Sequence, residues 1–87
     1  MNHLLVITGS VTSAVRLQKE LHRSGCLRAA VLHTPSYFNS GGCSYSVRVD
    51  ERCRQQVLEL AEKRDITIKK IYLETINGGE RVYHDLS

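Results

Sequence analysis

The segment Cys43–Val49 has the sequence CSYSVRV, in which apolar and polar side chains alternate. This period of two is typical of a β-strand that turns one face toward a core and the other face away from it. The apolar face consists of Tyr45, Val47 and Val49. Before the strand, residues 34–42 (TPSYFNSGG) are rich in turn formers and predict a loop. After the strand, Asp50 is a suitable N-cap, so the strand connects a loop to a helix.

Strand and helix patterns alternate along the rest of the chain. The other apolar runs predict strands at His3–Ile7, Leu27–His33 and Ile68–Thr75. Apolar residues spaced three and four apart predict helices over Val11–Ser24 and from Asp50 to about Arg64. Residues 76–79 (INGG) predict a hairpin turn, after which Arg81–Asp85 is expected to form a short fifth strand.

The resulting order of elements, β-α-β-β-α-β, predicts an α+β domain with a ferredoxin-like fold. Right-handed crossovers make the first two strands parallel, and the third strand returns between them. We therefore expect a two-layer sandwich with an antiparallel sheet in the order 4-1-3-2 and two helices on one face. The fifth strand would add an edge. On this prediction residues 1–75 form the domain, and residues 76–87 form a C-terminal hairpin or tail.

The composition excludes several classes of protein. With 87 residues, 41% hydrophobic and 24% charged, the chain suits one small globular domain. Its net charge of +3 is spread along the sequence, which does not favour a nucleic-acid partner. The chain has no apolar run of membrane-spanning length and no signal-peptide pattern, which predicts a cytoplasmic protein without membrane attachment. It also lacks a zinc-binding His pair, a carboxylate dyad and a cofactor fingerprint. We thus expect neither metal nor cofactor, and a carrier or binding protein rather than an enzyme.

The three cysteines, Cys26, Cys43 and Cys53, have different expected positions. Their odd number and the lack of a Cys-x-x-Cys pair favour free thiols over a disulfide framework. In the predicted topology Cys43 opens the third strand beside the start of the first helix. Cys26 precedes the second strand and Cys53 begins the second helix, so both belong to the opposite edge of the sheet. We expect Cys53 to pack in the core and Cys26 to have no special role.

Cys43 is the thiol whose expected surroundings favour a reactive anion. The positive end of the first helix dipole lies nearby, which lowers a thiol pKa. The candidate anion-binding residues are Ser10 and Thr12 at that helix start, with Gly41 and Gly42 in the loop. His33, at the end of the second strand, is a candidate base or ion-pair partner. The alternative is that Cys43, which shares the apolar side of its strand, is a small hydrophobe in the core.

The residues around this cysteine resemble a known family, the small selenium/sulfur carrier-like proteins of bacteria. The resemblance covers about residues 4–73. It rests on His33-Thr34-Pro35 after an apolar strand and on Gly41-Gly42-Cys43-Ser44-Tyr45 before an acid-capped helix. It implies a cytoplasmic βαββαβ domain whose loop cysteine, here Cys43, carries reduced sulfur or selenium. Two positions depart from residues frequent in the family: Ser36 replaces Arg, and Ser44 replaces Gly.

Three functions remain open on the sequence alone. The first is a sulfur or selenium carrier that receives the atom from a donor protein onto Cys43 and passes it to an acceptor protein. The second is a small-molecule sensing or protein-interaction module that uses the 34–42 loop and an edge strand, with a homodimer as one possible assembly. The third is RNA binding, which needs solvent-facing aromatics on the two central strands. Those strands offer only Tyr45, which the alternation assigns to the buried side.

Overall fold

The computed structural model describes residues 2–34 and 45–86, which form a five-stranded antiparallel sheet and two helices. The strands are β1 (His3–Thr8), β2 (Ala30–His33), β3 (Tyr45–Asp50), β4 (Ile68–Asn77) and β5 (Glu80–Asp85). The helices are α1 (Val11–Arg23) and α2 (Arg54–Lys63), and a 3₁₀ turn at Glu51–Cys53 precedes α2. The predicted α+β class is confirmed. Neither helix is long and apolar enough to span a membrane.

The strands lie in the order β2-β3-β1-β4-β5, and each neighbouring pair is antiparallel. The predicted order 4-1-3-2 needs correction, because β4 is not an edge strand. β5 pairs with β4 from Tyr72↔Asp85 to Asn77↔Glu80 and occupies the edge instead. Gly78 and Gly79, with φ of 60° and 85°, make the tight turn that brings β5 back. The predicted neighbours of the first four strands are those observed.

The core lies between one face of the sheet and the two helices. In β3 the alternation places Val47 and Val49 in this core, with Tyr45 packed against it, as the sequence predicted. The other core residues contributed by the central strands and the helices are Leu4, Val6, Ala14, Leu17, Leu21, Val57 and Ile71. The apolar stripe of α1 therefore fixes the face that this helix turns to the sheet.

Among the described elements, the starts of β2 and α2 differ most from the prediction. β2 starts at Ala30 rather than Leu27, whose side chain is exposed. Asp50 accepts a hydrogen bond from the backbone N–H of Arg52 at 3.0 Å, so it caps the 3₁₀ turn rather than α2 itself. Cys53 then stands at the N-cap position of α2. Cys26 therefore lies in the connection between α1 and β2, and Cys53 ends the 3₁₀ turn that precedes α2.

Candidate functional site at the upper edge of the sheet

The end of the sheet formed by Thr8, His33 and Tyr45 is called the upper edge. Thr8, the last residue of β1, is the partner of Tyr45, the first residue of β3. Tyr45 is also the partner of His33, the last residue of β2. The rings of His33 and Tyr45 are tilted against each other with centroids 4.4 Å apart. The described segments directly before and after residues 35–44 therefore both meet the sheet at this edge.

A buried hydroxyl joins the start of α1 to the same edge. Thr8 Oγ1 lies 3.0 Å from the carbonyl oxygen of Tyr45 and 3.0 Å from that of Ser10, and its single hydroxyl hydrogen is shared between these two acceptors. Thr8 itself is completely buried, so its hydroxyl depends on these two carbonyl oxygens as acceptors. The first turn of α1 is consequently held beside the first residue of β3, as the predicted topology requires.

The start of α1 carries an uncompensated positive dipole end. Ser10 is the N-cap, and its Oγ accepts a hydrogen bond from the backbone N–H of Ser13 at 3.2 Å. No acidic residue stands in the first turn, and the side chains of Ser10 and Thr12 are exposed. A carboxylate at this position would have offset the partial positive charge of the helix end. Its absence from the first turn leaves that charge available to an anion from outside the helix.

An irregularity in β4 adds a full positive charge at this place. Ile7 is paired with Lys70 and Thr8 with Ile68, so the register passes over Lys69, which is the extra residue of a β-bulge. A Cβ atom placed on Gly9 would lie 3.2 Å from Lys69 Cε and 3.8 Å from Lys69 Nζ. The ammonium group of Lys69 thus lies over Gly9, directly before the N-cap of α1. Bulges commonly redirect a side chain in this way next to functional sites.

The neighbouring lysine has a different environment. Lys70 Nζ lies 3.0 Å from Asp85 Oδ2 on β5. The hydrogen bond to this carboxylate, and then its charge, raise the pKa of Lys70 above its ordinary value.

Sequence reasoning missed Lys69, although a signal was present. The apolar positions of β4 that pack on the core are Ile68, Ile71 and Leu73, and the gap of three between the first two breaks the period of two.

The sequence-predicted site residues fall into two groups. The structure brings His33, Ser10 and Thr12 to the upper edge, with the His33 side chain exposed. Beside them, Thr34 Oγ1 and Ser46 Oγ form a buried hydrogen bond of 2.6 Å that fixes the last described residue before the 35–44 segment. Cys43, Gly41 and Gly42 lie outside the described residues. Within residues 2–34 and 45–86, no cluster of His, Cys, Asp or Glu is arranged to hold a metal ion.

The other two cysteines contradict the expectation of free thiols. Cys26 and Cys53 form a disulfide, with their Cα atoms 6.4 Å apart. Their predicted location at a common edge, opposite the start of α1, agrees with this pairing. The prediction of free thiols was wrong because it relied on cysteine number and spacing. The two residues are 27 positions apart, and the fold rather than the sequence brings them together.

The face of the sheet opposite the helices does not resemble a base-stacking surface. On this face the central strand β1 contributes Leu5 and Ile7, and β3 contributes Ser46 and Arg48. Tyr45 packs against the core side, where the sequence placed it. Stacking of RNA bases requires exposed aromatic rings on these two strands. The described parts of β1 and β3 do not provide them on this face.

Comparison with known proteins identifies the family of the chain. A family model described as "Putative Se/S carrier protein-like" matches residues 3–73. The match spans β1 to most of β4, including both helices and the elements that meet at the upper edge. Neither the curated proteins nor the solved structures give a match. The chain thus belongs to the family of Se/S carrier-like proteins.

Proposed function

We propose that this protein carries reduced sulfur or selenium as a persulfide or selenopersulfide on Cys43. The observation that carries the proposal is the positive charge collected at the upper edge, where Lys69 lies over Gly9 beside the open start of α1. A cation and a helix N-terminus both stabilise a thiolate relative to a thiol. The family match supports the same function.

The position of Cys43 in the sequence supports its role as the acceptor. Cys43 is two residues from Tyr45, and two residues of extended chain span at most about 7 Å. The acceptor thiol is therefore tethered to the upper edge by a short length of backbone. Because Cys26 and Cys53 are joined to each other, Cys43 is the remaining thiol of the three in the oxidised protein.

The proposed transfer is a single nucleophilic displacement. The Cys43 thiolate attacks the outer sulfur of a persulfide held by a donor protein, and a new sulfur–sulfur bond forms on Cys43. The bond between the two sulfurs of the donor breaks, and its electron pair leaves on the donor thiolate. Passing the atom to an acceptor thiolate reverses these roles. A selenium atom is transferred by the same displacement, with selenium as the atom attacked.

The residues at the upper edge have distinct roles in this proposal. His33 takes the proton of the Cys43 thiol or pairs with its thiolate. The residues proposed to stabilise the terminal anion with N–H or hydroxyl groups are Ser10, Thr12, Gly41 and Gly42. Lys69 supplies a positive charge that stabilises the Cys43 thiolate at longer range. The proposal also includes a cytoplasmic location and, as partners, donor and acceptor proteins.

Intact-mass spectrometry after treatment with inorganic polysulfide tests the carrier function. We expect an adduct of one sulfur atom that is lost in Cys43→Ser and retained in a Cys26→Ser/Cys53→Ser double variant. An adduct of equal yield in Cys43→Ser would overturn the assignment of Cys43. The proposal expects a measured Cys43 pKa below about 7.5. A measured pKa at or above about 8.5 would show that the thiol is not activated.

Lys69 and Lys70 provide a matched pair for testing the electrostatic part. Lys69→Gln should slow alkylation of Cys43 near neutral pH by roughly twofold to threefold, as expected for loss of one solvent-screened charge. Lys70→Gln should leave the rate almost unchanged, because Lys70 is already paired with Asp85. Equal effects of the two substitutions would show that the bulge does not serve the thiol.

A second candidate function, small-molecule sensing, is supported by a groove between α2 and β4. The groove has a volume of about 460 Å³, and its lining includes Leu58, Ile66 and Ile68, with Arg54 and Lys69 among its charged residues. An apolar cleft with a few charged groups is typical of a ligand site. Retention of cellular function by Cys43→Ser would favour this function over the carrier.

A further inference from the structure

A second sulfur-containing site lies at the opposite end of the sheet, which is called the lower edge and is marked by the pair His3↔Asp50. An open pocket of about 350 Å³ is found there, and both Cys26 and Cys53 line it. Five residue steps along β1 separate this end from Thr8, or about 17 Å. The pocket is therefore distinct from the candidate site at the upper edge.

The two cysteines of the disulfide differ in exposure. Cys26 is only 5% exposed, and its backbone N–H donates to the carbonyl oxygen of Leu21 at 2.8 Å, at the end of α1. Gly25, with a φ of 95°, makes the reversal that this hydrogen bond requires. Cys53 is partly exposed and stands at the N-cap of α2 without a side-chain cap hydrogen bond. The greater exposure of residue Cys53 thus favours it over Cys26 as the point of nucleophilic attack.

The pocket carries an excess of positive charge. Of the described residues that line it, the charged ones are Arg28, Arg52 and Asp50. The carboxylate of Asp50 already accepts the backbone N–H of Arg52, and the Nε atom of Arg52 lies 3.8 Å from it. Both guanidinium groups contribute to the positive potential that lowers the pKa of Asp50, after the larger effect of that backbone hydrogen bond. One carboxylate therefore faces two arginines, which favours an anionic ligand beside the disulfide.

We propose that the Cys26–Cys53 pair is a thiol–disulfide exchange site that takes an anionic low-molecular-weight thiol. The thiolate of this molecule attacks Sγ of Cys53, and a mixed disulfide forms on Cys53. The bond to Cys26 breaks, and its electron pair leaves on the Cys26 thiolate, which takes a proton from water. A second molecule of the small thiol attacks the sulfur of the first and releases Cys53. The protein disulfide is thereby reduced by two electrons, and two small thiols are oxidised to their disulfide.

The test uses the folded Cys43→Ser variant, in which every thiol signal reports this pair and the outcome is independent of the proposed carrier function. Glutathione, an anionic thiol, is compared with cysteamine, a cationic thiol, each corrected for its rate with hydroxyethyl disulfide. Acid quenching, alkylation and intact-mass spectrometry then measure opening of the pair. We expect glutathione to open it at least about threefold faster than cysteamine after correction. A mixed disulfide should appear on Cys53 in peptide maps.

Substitution of both arginines provides the control for the charge. Arg28→Gln/Arg52→Gln should remove the preference for glutathione, whereas Lys19→Gln, an exposed cation outside the pocket, should preserve it. A disulfide that opens only after unfolding in denaturant would overturn the proposal and identify a structural crosslink. Equal corrected rates for the two thiols, or a preference that survives loss of both arginines, would overturn the anionic-thiol site.

Discussion

Arg48 Nη2 lies 3.0 Å from Glu74 Oε2, and this ion pair passes over the central strand β1 on the face opposite the helices. The side chain of Glu74 is 6% exposed and that of Arg48 27% exposed. Burial, and then a hydrogen bond with Glu74, raise the pKa of the Tyr83 phenol on β5 above its ordinary value. Glu74 thus connects strands from both sides of β1 on the face that the helices leave uncovered.

Removal of the arginine should destabilise the protein strongly. Arg48→Met leaves the buried carboxylate of Glu74 without its cation, which costs roughly 2–4 kcal/mol in the free energy of unfolding. Urea denaturation at neutral pH measures this loss. The double variant Arg48→Met/Glu74→Gln should recover part of it, because no uncompensated charge then remains buried. A loss below about 0.5 kcal/mol in Arg48→Met would show that the pair behaves as an exposed one.

Asp50 should make stability depend on acid pH. The backbone N–H of Arg52, and then the charge of Arg52, hold the pKa of Asp50 below its ordinary value of 3.8. Because this pKa is lower in the folded state, the carboxylate contributes stability that is present above the unfolded pKa and is lost as pH falls through the folded one. Between about pH 6 and pH 3, Asp50→Asn should therefore lose less stability than the parent chain.

Urea denaturation of the parent and variant at both pH values checks the contribution of Asp50. Glu51→Gln is the matched control, because Glu51 is the adjacent exposed carboxylate. An equal fall in stability for the parent and Asp50→Asn would contradict a lowered pKa at Asp50.

The C-terminal strand provides a test of the predicted domain boundary. A chain of residues 1–75 should be markedly less stable than the full chain and more prone to associate, because loss of β5 exposes the long edge of β4. The truncation also removes Leu86, which packs against the core and whose N–H donates to the Ile71 carbonyl at 2.9 Å. Thermal unfolding and light scattering measure both effects. A truncated chain as stable and monomeric as the full chain would instead support residues 76–87 as a separate tail.

Local patterns account for much of the fold. The alternation at Tyr45, Val47 and Val49 placed these residues on the core side, and Ser10 was placed at the start of α1, where it is the N-cap. The two-glycine turn at residues 78–79 predicted the final hairpin, because a tight hairpin needs positive φ values. The four-strand order 4-1-3-2 was wrong in ending the sheet at β4, because β5 pairs along β4 and takes the edge.

The candidate site was less accessible to sequence reasoning. The topology correctly brought His33 and Ser10 to one edge, because strand direction and connection order determine which ends meet. The pairing of Cys26 with Cys53 depends on how the end of α1 sits against the start of α2, and no local pattern contains this information. The role of Cys43, outside the described residues, stays a prediction.

The bulge at Lys69 lets β4 meet two requirements independently. One is the packing of its apolar side chains on the core, and the other is the position of a charged side chain at the upper edge. Without the additional residue, Ile68 and Ile71 would become next-but-one neighbours in an unbroken pleat, and both would still point to the core. Hydrophobic packing therefore does not need the insertion. The inserted residue instead sets the position of the Lys69 ammonium group. Replacement or loss of this residue during evolution would leave the interior of the protein intact.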